Sequence, residues 1–153
     1  MEYVEHDRAD RADGVEIVYI HTIKRNSKIV CARWFQEQDS RNKQQFLPGK
    51  IQTVNCGLVF TLRECLKQFR KEAELQCREE RIPMVYLRTN ATYIQTAMDR
   101  YIYSWSEQGW RNKRNKPIAN HIFWQSVYSE MTRLDELDVG LRVEHIPHLP
   151  KIM

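Results

Sequence analysis

The residues best equipped for chemistry in this chain are four cysteines, five histidines and a run of bases that follows two tryptophans. Cys31, Cys56, Cys65 and Cys77 form no CxxC pair and have no histidine at zinc-ligand spacing, which points to neither a zinc site nor a disulfide framework. They read as reduced, mostly buried thiols. No cysteine or serine stands in an activating context beside a histidine, so a covalent nucleophile is not signalled. The run of bases is different. Arg111, Lys113, Arg114 and Lys116 come just after Trp105 and Trp110. Cations neutralise phosphates and aromatic rings stack on bases, which is the chemistry of nucleic-acid binding. The same composition also suits a solvated loop beside two helix-packing tryptophans, so both readings stand.

The elements that must position these groups follow from residue patterning. Residues 1–14 mix acids and arginines without apolar periodicity and read as a disordered tail that ends near Gly14, leaving one domain over residues 15–153. Val15–His21 and Lys28–Phe35 are rich in β-branched and aromatic residues and predict an antiparallel hairpin. Pro48-Gly49 marks a turn beside a third short strand. Leu58, Leu62, Cys65, Leu66, Phe69 and Ala73 recur at helical spacing between charged residues, which predicts an amphipathic helix. Pro83 opens a strand ending at Arg88, and Thr89-Asn90 offers a cap for a helix from Ala91. Pro117 suits the first turn of another helix, whose stripe is Phe123, Val127, Met131 and Leu134, and Leu141–Ile146 reads as a last strand. Strands first, then helices and strands in alternation, predict a mixed α/β sheet covered by helices.

The segment YIYSWSEQGWRNKRNKPIAN, with Trp105, Gly109-Trp110, Lys116 and Asn120, resembles the helical handle and basic loop of eukaryotic ribonuclease H. LPGKIQT (Leu47–Thr53) looks like the loop before that family's first long helix, and Tyr86–Ala91 resembles its fourth strand. The resemblance spans roughly residues 15–147 and implies a ribonuclease H-like mixed five-stranded sheet flanked by helices, with the family's C-terminal helix missing. Members of the family cleave the RNA of RNA–DNA hybrids with two divalent ions held by acidic side chains, which stabilise the attacking and leaving oxygens. The resemblance places those acids at His21, Leu58 and Asn90, and none of the three is a carboxylate. Glu16, Glu64 and Asp99 are out of phase to replace them. The implied expectation is a degenerate, non-enzymatic pseudo-ribonuclease H with no metal and no cofactor.

Two roles remain open on that expectation. One is a protein-interaction scaffold, in a complex of RNA metabolism, using Ile146, Leu149, Ile152 and Met153 to meet a protein partner or a second copy. The alternative is a non-cleaving domain that binds RNA or an RNA–DNA hybrid. By resemblance its phosphate pocket has Thr53 and Asn120, with Lys50 in place of an arginine if Ile51 is a one-residue insertion. Tyr101 falls at the position of a channel tryptophan, and Arg111, Lys113 and Arg114 line the basic loop. The net charge of +4 neither requires nor excludes nucleic acid. No run approaches the roughly 18 apolar residues that span a bilayer, and the start lacks a secretory signal pattern. The expectation is an intracellular chain, nuclear or cytoplasmic, with no membrane partner.

Overall fold

The computed structural model describes residues 14–151. The tail expected over residues 1–14 lies outside the described residues except at Gly14, as do Ile152 and Met153.

Alternation of apolar residues builds a five-stranded sheet in the order β3-β2-β1-β4-β5. The strands are β1 (Val15–Arg25), β2 (Lys28–Trp34), β3 (Lys43–Phe46), β4 (Met84–Thr89) and β5 (Gly140–His145). The first three pair antiparallel, whereas β1–β4 and β4–β5 are parallel. The hairpin is longer than the apolar runs suggest. Asn26 adopts a left-handed φ of 57°, which closes a tight turn and lets the polar Thr22–Arg25 pair with Lys28–Cys31.

The α-helices among the described residues are α1 (Val54–Glu74), α2 (Thr92–Thr96), α3 (Ile102–Glu107) and α4 (His121–Glu136). A π-helical turn, Ala97–Tyr101, joins α2 to α3. α1 starts four residues before Leu58 because Thr53 caps it, its hydroxyl accepting from the Cys56 amide at 3.1 Å. Pro117 is not in a helix. It bridges to Arg111, and the chain turns through a left-handed Asn120 (φ 62°) before α4 begins.

The core lies between the sheet and α1 with α4. Val18, Ile20, Leu58, Leu62, Leu66, Leu87, Ile94, Trp124 and Leu134 are buried in one cluster. A Cβ on Gly57 would stand 2.7 Å from Ile29 Cγ2, so the missing side chain is what lets α1 settle on β2. Across the other face, Tyr19 and Trp34 pack with ring centroids 5.9 Å apart, and both are buried.

Three contacts fix the direction of the helices. Phe60 meets Phe123, Arg70 meets Glu130 and Glu74 meets Arg133, so residue numbers rise together and α1 and α4 run parallel. Arg70 Nε donates to Glu130 Oε2 at 2.8 Å and Nη2 to Oε1 at 3.1 Å, a bidentate pair with each side chain only 10% exposed. At one end of α1, Thr22 Oγ1 donates to the Val54 carbonyl at 3.3 Å. At the other, Arg41 bridges Glu16 of β1 and Glu72. α1 therefore runs antiparallel to β1, and both long helices begin at the carboxyl ends of the parallel strands.

Glu130→Ala removes the bidentate partner of the buried Arg70 and leaves it only the partly exposed Glu74, 3.2 Å away, and is expected to cost about 3 kcal/mol of unfolding free energy, read from urea denaturation. Thiol labelling at pH 8 is expected to modify Cys77 alone in the folded protein. Cys77 is exposed, whereas Cys31, Cys56 and Cys65 are buried, and burial pushes the Cys65 thiol up to about 12, far from its reactive thiolate.

Candidate nucleic-acid interface

Thr53, Asn120 and Lys50 stand at that shared end. Thr53 is exposed as the cap of α1, its oxygen engaged with the Cys56 amide. The α1 terminus carries partial positive charge and free amides, an arrangement suited to a phosphate oxygen. Asn120 precedes α4, and its Nδ2 donates to the Tyr93 hydroxyl at 3.4 Å. Trp124 Nε1 donates to the same hydroxyl at 3.0 Å, so Tyr93 ties the start of α4 to α2. Lys50 is exposed just after Gly49, whose φ of 92° makes the turn.

Gln52, which the patterning leaves unnoticed, positions this loop. Its Oε1 accepts from the Ile29 amide at 2.9 Å, and its Nε2 donates to the Leu47 and Gly49 carbonyls, each at 2.9 Å. One side chain thereby ties the turn carrying Lys50 and Thr53 to β2. Ile51, Val54 and Ile122 also stay exposed at this end, at 64, 42 and 70%. Apolar groups beside helix termini suit contact with sugars while the amides meet phosphates.

Tyr101, 47% exposed at the end of the π-helical turn, stacks on Trp105 with centroids 5.7 Å apart and 17° between planes. Trp105 in turn touches Trp124 at 5.6 Å, so the shelf rests on α4. Trp105 and Trp110 are partly buried against the core and serve as packing residues. The basic loop is ordered around Asn112, whose Oδ1 accepts from the Arg114 and Lys116 amides at 2.9 and 3.1 Å. Arg111 Nη1 donates to the Asn115 carbonyl at 2.8 Å. Arg111, Lys113, Arg114 and Lys116 are exposed, and none has an acidic partner among the described residues.

The three positions expected to correspond to metal ligands do not converge. Ile20 and Thr22 face α1, so strand alternation turns His21 to the opposite face from Leu58. The β1 residue that shares the core with Leu58 is Ile20, 0% exposed against 1% for Leu58. Asn90 is exposed beyond the end of β4, and the Ala91 amide is taken by Thr89 Oγ1 at 3.2 Å. Among the described residues no group of three or more His, Cys, Asp or Glu side chains is placed to hold a metal ion. The described residues do not fit a divalent-ion pair. Glu16 belongs instead to the cluster around Arg41. Ile146 and Leu149 are partly buried, and the Ile146 amide donates to the Thr89 carbonyl at 2.9 Å.

Comparison with solved structures decides the fold. The chain superposes on a foamy viral protease-reverse transcriptase in complex with RNA/DNA hybrid with a TM-score of 0.55 and 15% identity, over 86% of this chain and 17% of that one. It superposes on LC11-RNase H1 in complex with RNA/DNA hybrid at a TM-score of 0.54 and 14% identity, over 86% of this chain and 85% of that one. The fold is ribonuclease H-like.

Sequence comparison agrees with the ribonuclease H-like fold. A ribonuclease H of Nitrosomonas eutropha is 28% identical over 104 residues, 66% of this chain and 57% of that protein. A ribonuclease H of Vibrio vulnificus is 33% identical over 49 residues, 32% of each. No family model matches. The chain thus spans 32 to 57% of the length of these relatives. They are bacterial, where the sequence resemblance was to the eukaryotic branch. Their names also correct the expectation of a chain that is no enzyme: they are ribonucleases, and the likeness points to enzymatic function.

No helix is long and apolar enough to cross a membrane among the described residues. Replacing the Thr53 cap with alanine is expected to lower stability by about 1 kcal/mol, measured by thermal denaturation, with Thr53→Ser restoring it.

Proposed function

We propose that this ribonuclease H-like domain binds an RNA/DNA hybrid across the end where α1 and α4 begin. The observation that carries the reading is the convergence there of two helix N-termini with exposed Thr53, Lys50 and the Arg111–Lys116 loop. Ligands of open α/β sheets gather outside the carboxyl ends of the parallel strands, which is the same end. A duplex offers two rows of phosphates, and the reading assigns one to the helix termini and the other to the basic loop. The Tyr101–Trp105 shelf, resting on α4 through Trp124, adds a surface for sugar or base. Two of the structural neighbours hold an RNA/DNA hybrid, which supports this choice of ligand.

The test is a titration of labelled RNA/DNA hybrid at 50 and 200 mM salt. Binding is expected to weaken with salt, and Arg111→Gln/Lys113→Gln/Arg114→Gln to flatten the logarithmic slope by up to about 0.9 for each phosphate no longer neutralised. Binding that ignores both the salt and the substitutions sinks the reading. The same mixtures with magnesium, followed on a gel, report whether this chain performs the strand cleavage for which its relatives are named.

A further inference from the structure

A second cationic site lies far from the first. β2 and β3 pair Arg33 directly opposite Lys43. Two like charges at facing positions of an antiparallel ladder destabilise it. Neither has an acidic partner among the described residues, and both face α1 beside Lys67 and Lys71. These four bases line a cleft of about 500 Å³ between the sheet edge and the helix.

The acids in the cleft are already engaged. Glu64 pairs with Arg63 at 2.8 Å, and Glu72 accepts from Arg41 at 3.3 Å. Two buried polar atoms of the lining have no hydrogen-bond partner among the described residues: Nε of Arg33, a donor, and Oε1 of Gln68, an acceptor. Gln68 is oriented by its amide, which donates to Glu72 Oε1 at 3.3 Å, so its oxygen keeps an unmet demand for a proton.

We propose that this cleft is a binding site for a phosphoryl group on a ligand of nucleotide size. A guanidinium with three ammonium groups suits a tetrahedral dianion better than a single carboxylate. Gln68 accepts from a protonated phosphate oxygen or a ligand hydroxyl. The volume exceeds that of one phosphate and lies within the range of small-molecule pockets. The anion relieves the repulsion between Arg33 and Lys43, which gives it a reason to bind here. Lys67 and Lys71 are 13 and 17 residues beyond Val54, so these bases stand about 20 and 25 Å along α1 from the helix N-terminus, separate from the proposed hybrid surface.

The test follows backbone amide resonances of the whole chain while inorganic pyrophosphate, ADP or adenosine is added at 150 mM sodium chloride. Pyrophosphate or ADP is expected to shift Arg33, Lys43, Lys67 and Lys71 saturably, and adenosine alone to do nothing. ADP binding tighter than pyrophosphate assigns the site to nucleotides, and equal affinities assign it to free phosphate compounds. Lys43→Gln/Lys67→Gln is expected to weaken binding about tenfold or more without lowering the thermal midpoint of the free protein, since removing the Lys43 charge relieves its repulsion with Arg33. Lys71→Gln alone, on an exposed position, reads the same effect if the double variant folds poorly. Shifts that never saturate, that survive the substitutions, that centre on Arg111–Lys116, or that appear with hybrid but not with pyrophosphate or ADP, overturn the proposal.

Discussion

The parallel alignment of α1 and α4 over one face of the sheet is the constraint on which the rest depends. It is set by close approach and by a buried ion pair. Gly57 lets α1 sink onto Ile29, and the Arg70–Glu130 fork then fixes how far α4 can slide along it. Such a buried pair contributes little net stability, because desolvating both charges offsets most of their attraction. Its contribution here is register. A slip of one helical turn would separate the guanidinium from that carboxylate, so the two helices are held in register, with the first turn of α4 beside the second turn of α1.

The two ends of α1 meet different surroundings. At its start, free amides and the capping hydroxyl of Thr53 face solvent, with Asn120 and the bases after Trp110 nearby. Toward its end, Arg41 is surrounded by Glu16, Asp39 and Glu72 and lies over the Phe35 ring at 4.0 Å. Burial pushes the Glu72 carboxyl above the ordinary range even though Arg41 pulls it down. One helix therefore presents free amides at its head and, toward its tail, a mixed-charge cluster beside the bases of the cleft.

Much of this was legible in the residues. β-branched runs marked the strands, and the stripe from Leu58 to Ala73 marked α1, because both report burial directly. The face of a strand end was harder. Val18, Tyr19 and Ile20 are all apolar and all buried, so alternation is invisible in composition, and His21 could be assigned to the wrong side of β1. The role of Gln52 could not be read either, since its three hydrogen bonds depend on where Leu47, Gly49 and Ile29 meet in space. Pro117 misled for a related reason: its fixed φ suits a helix start, but the Ile118 amide is taken by the Trp110 carbonyl at 3.0 Å, which holds the chain in a loop.

The π-helical turn at Ala97–Tyr101 amounts to one surplus residue within an otherwise helical stretch. Since each residue turns a helix by about 100°, that single insertion sets the azimuth of every side chain after it, Tyr101 and Trp105 included. The aromatic shelf is thus a matter of phase as much as of composition. Relatives with the same rings and a regular helix there would aim them into a different quadrant, so a change of one residue in length at this place is enough to rewrite what the surface touches.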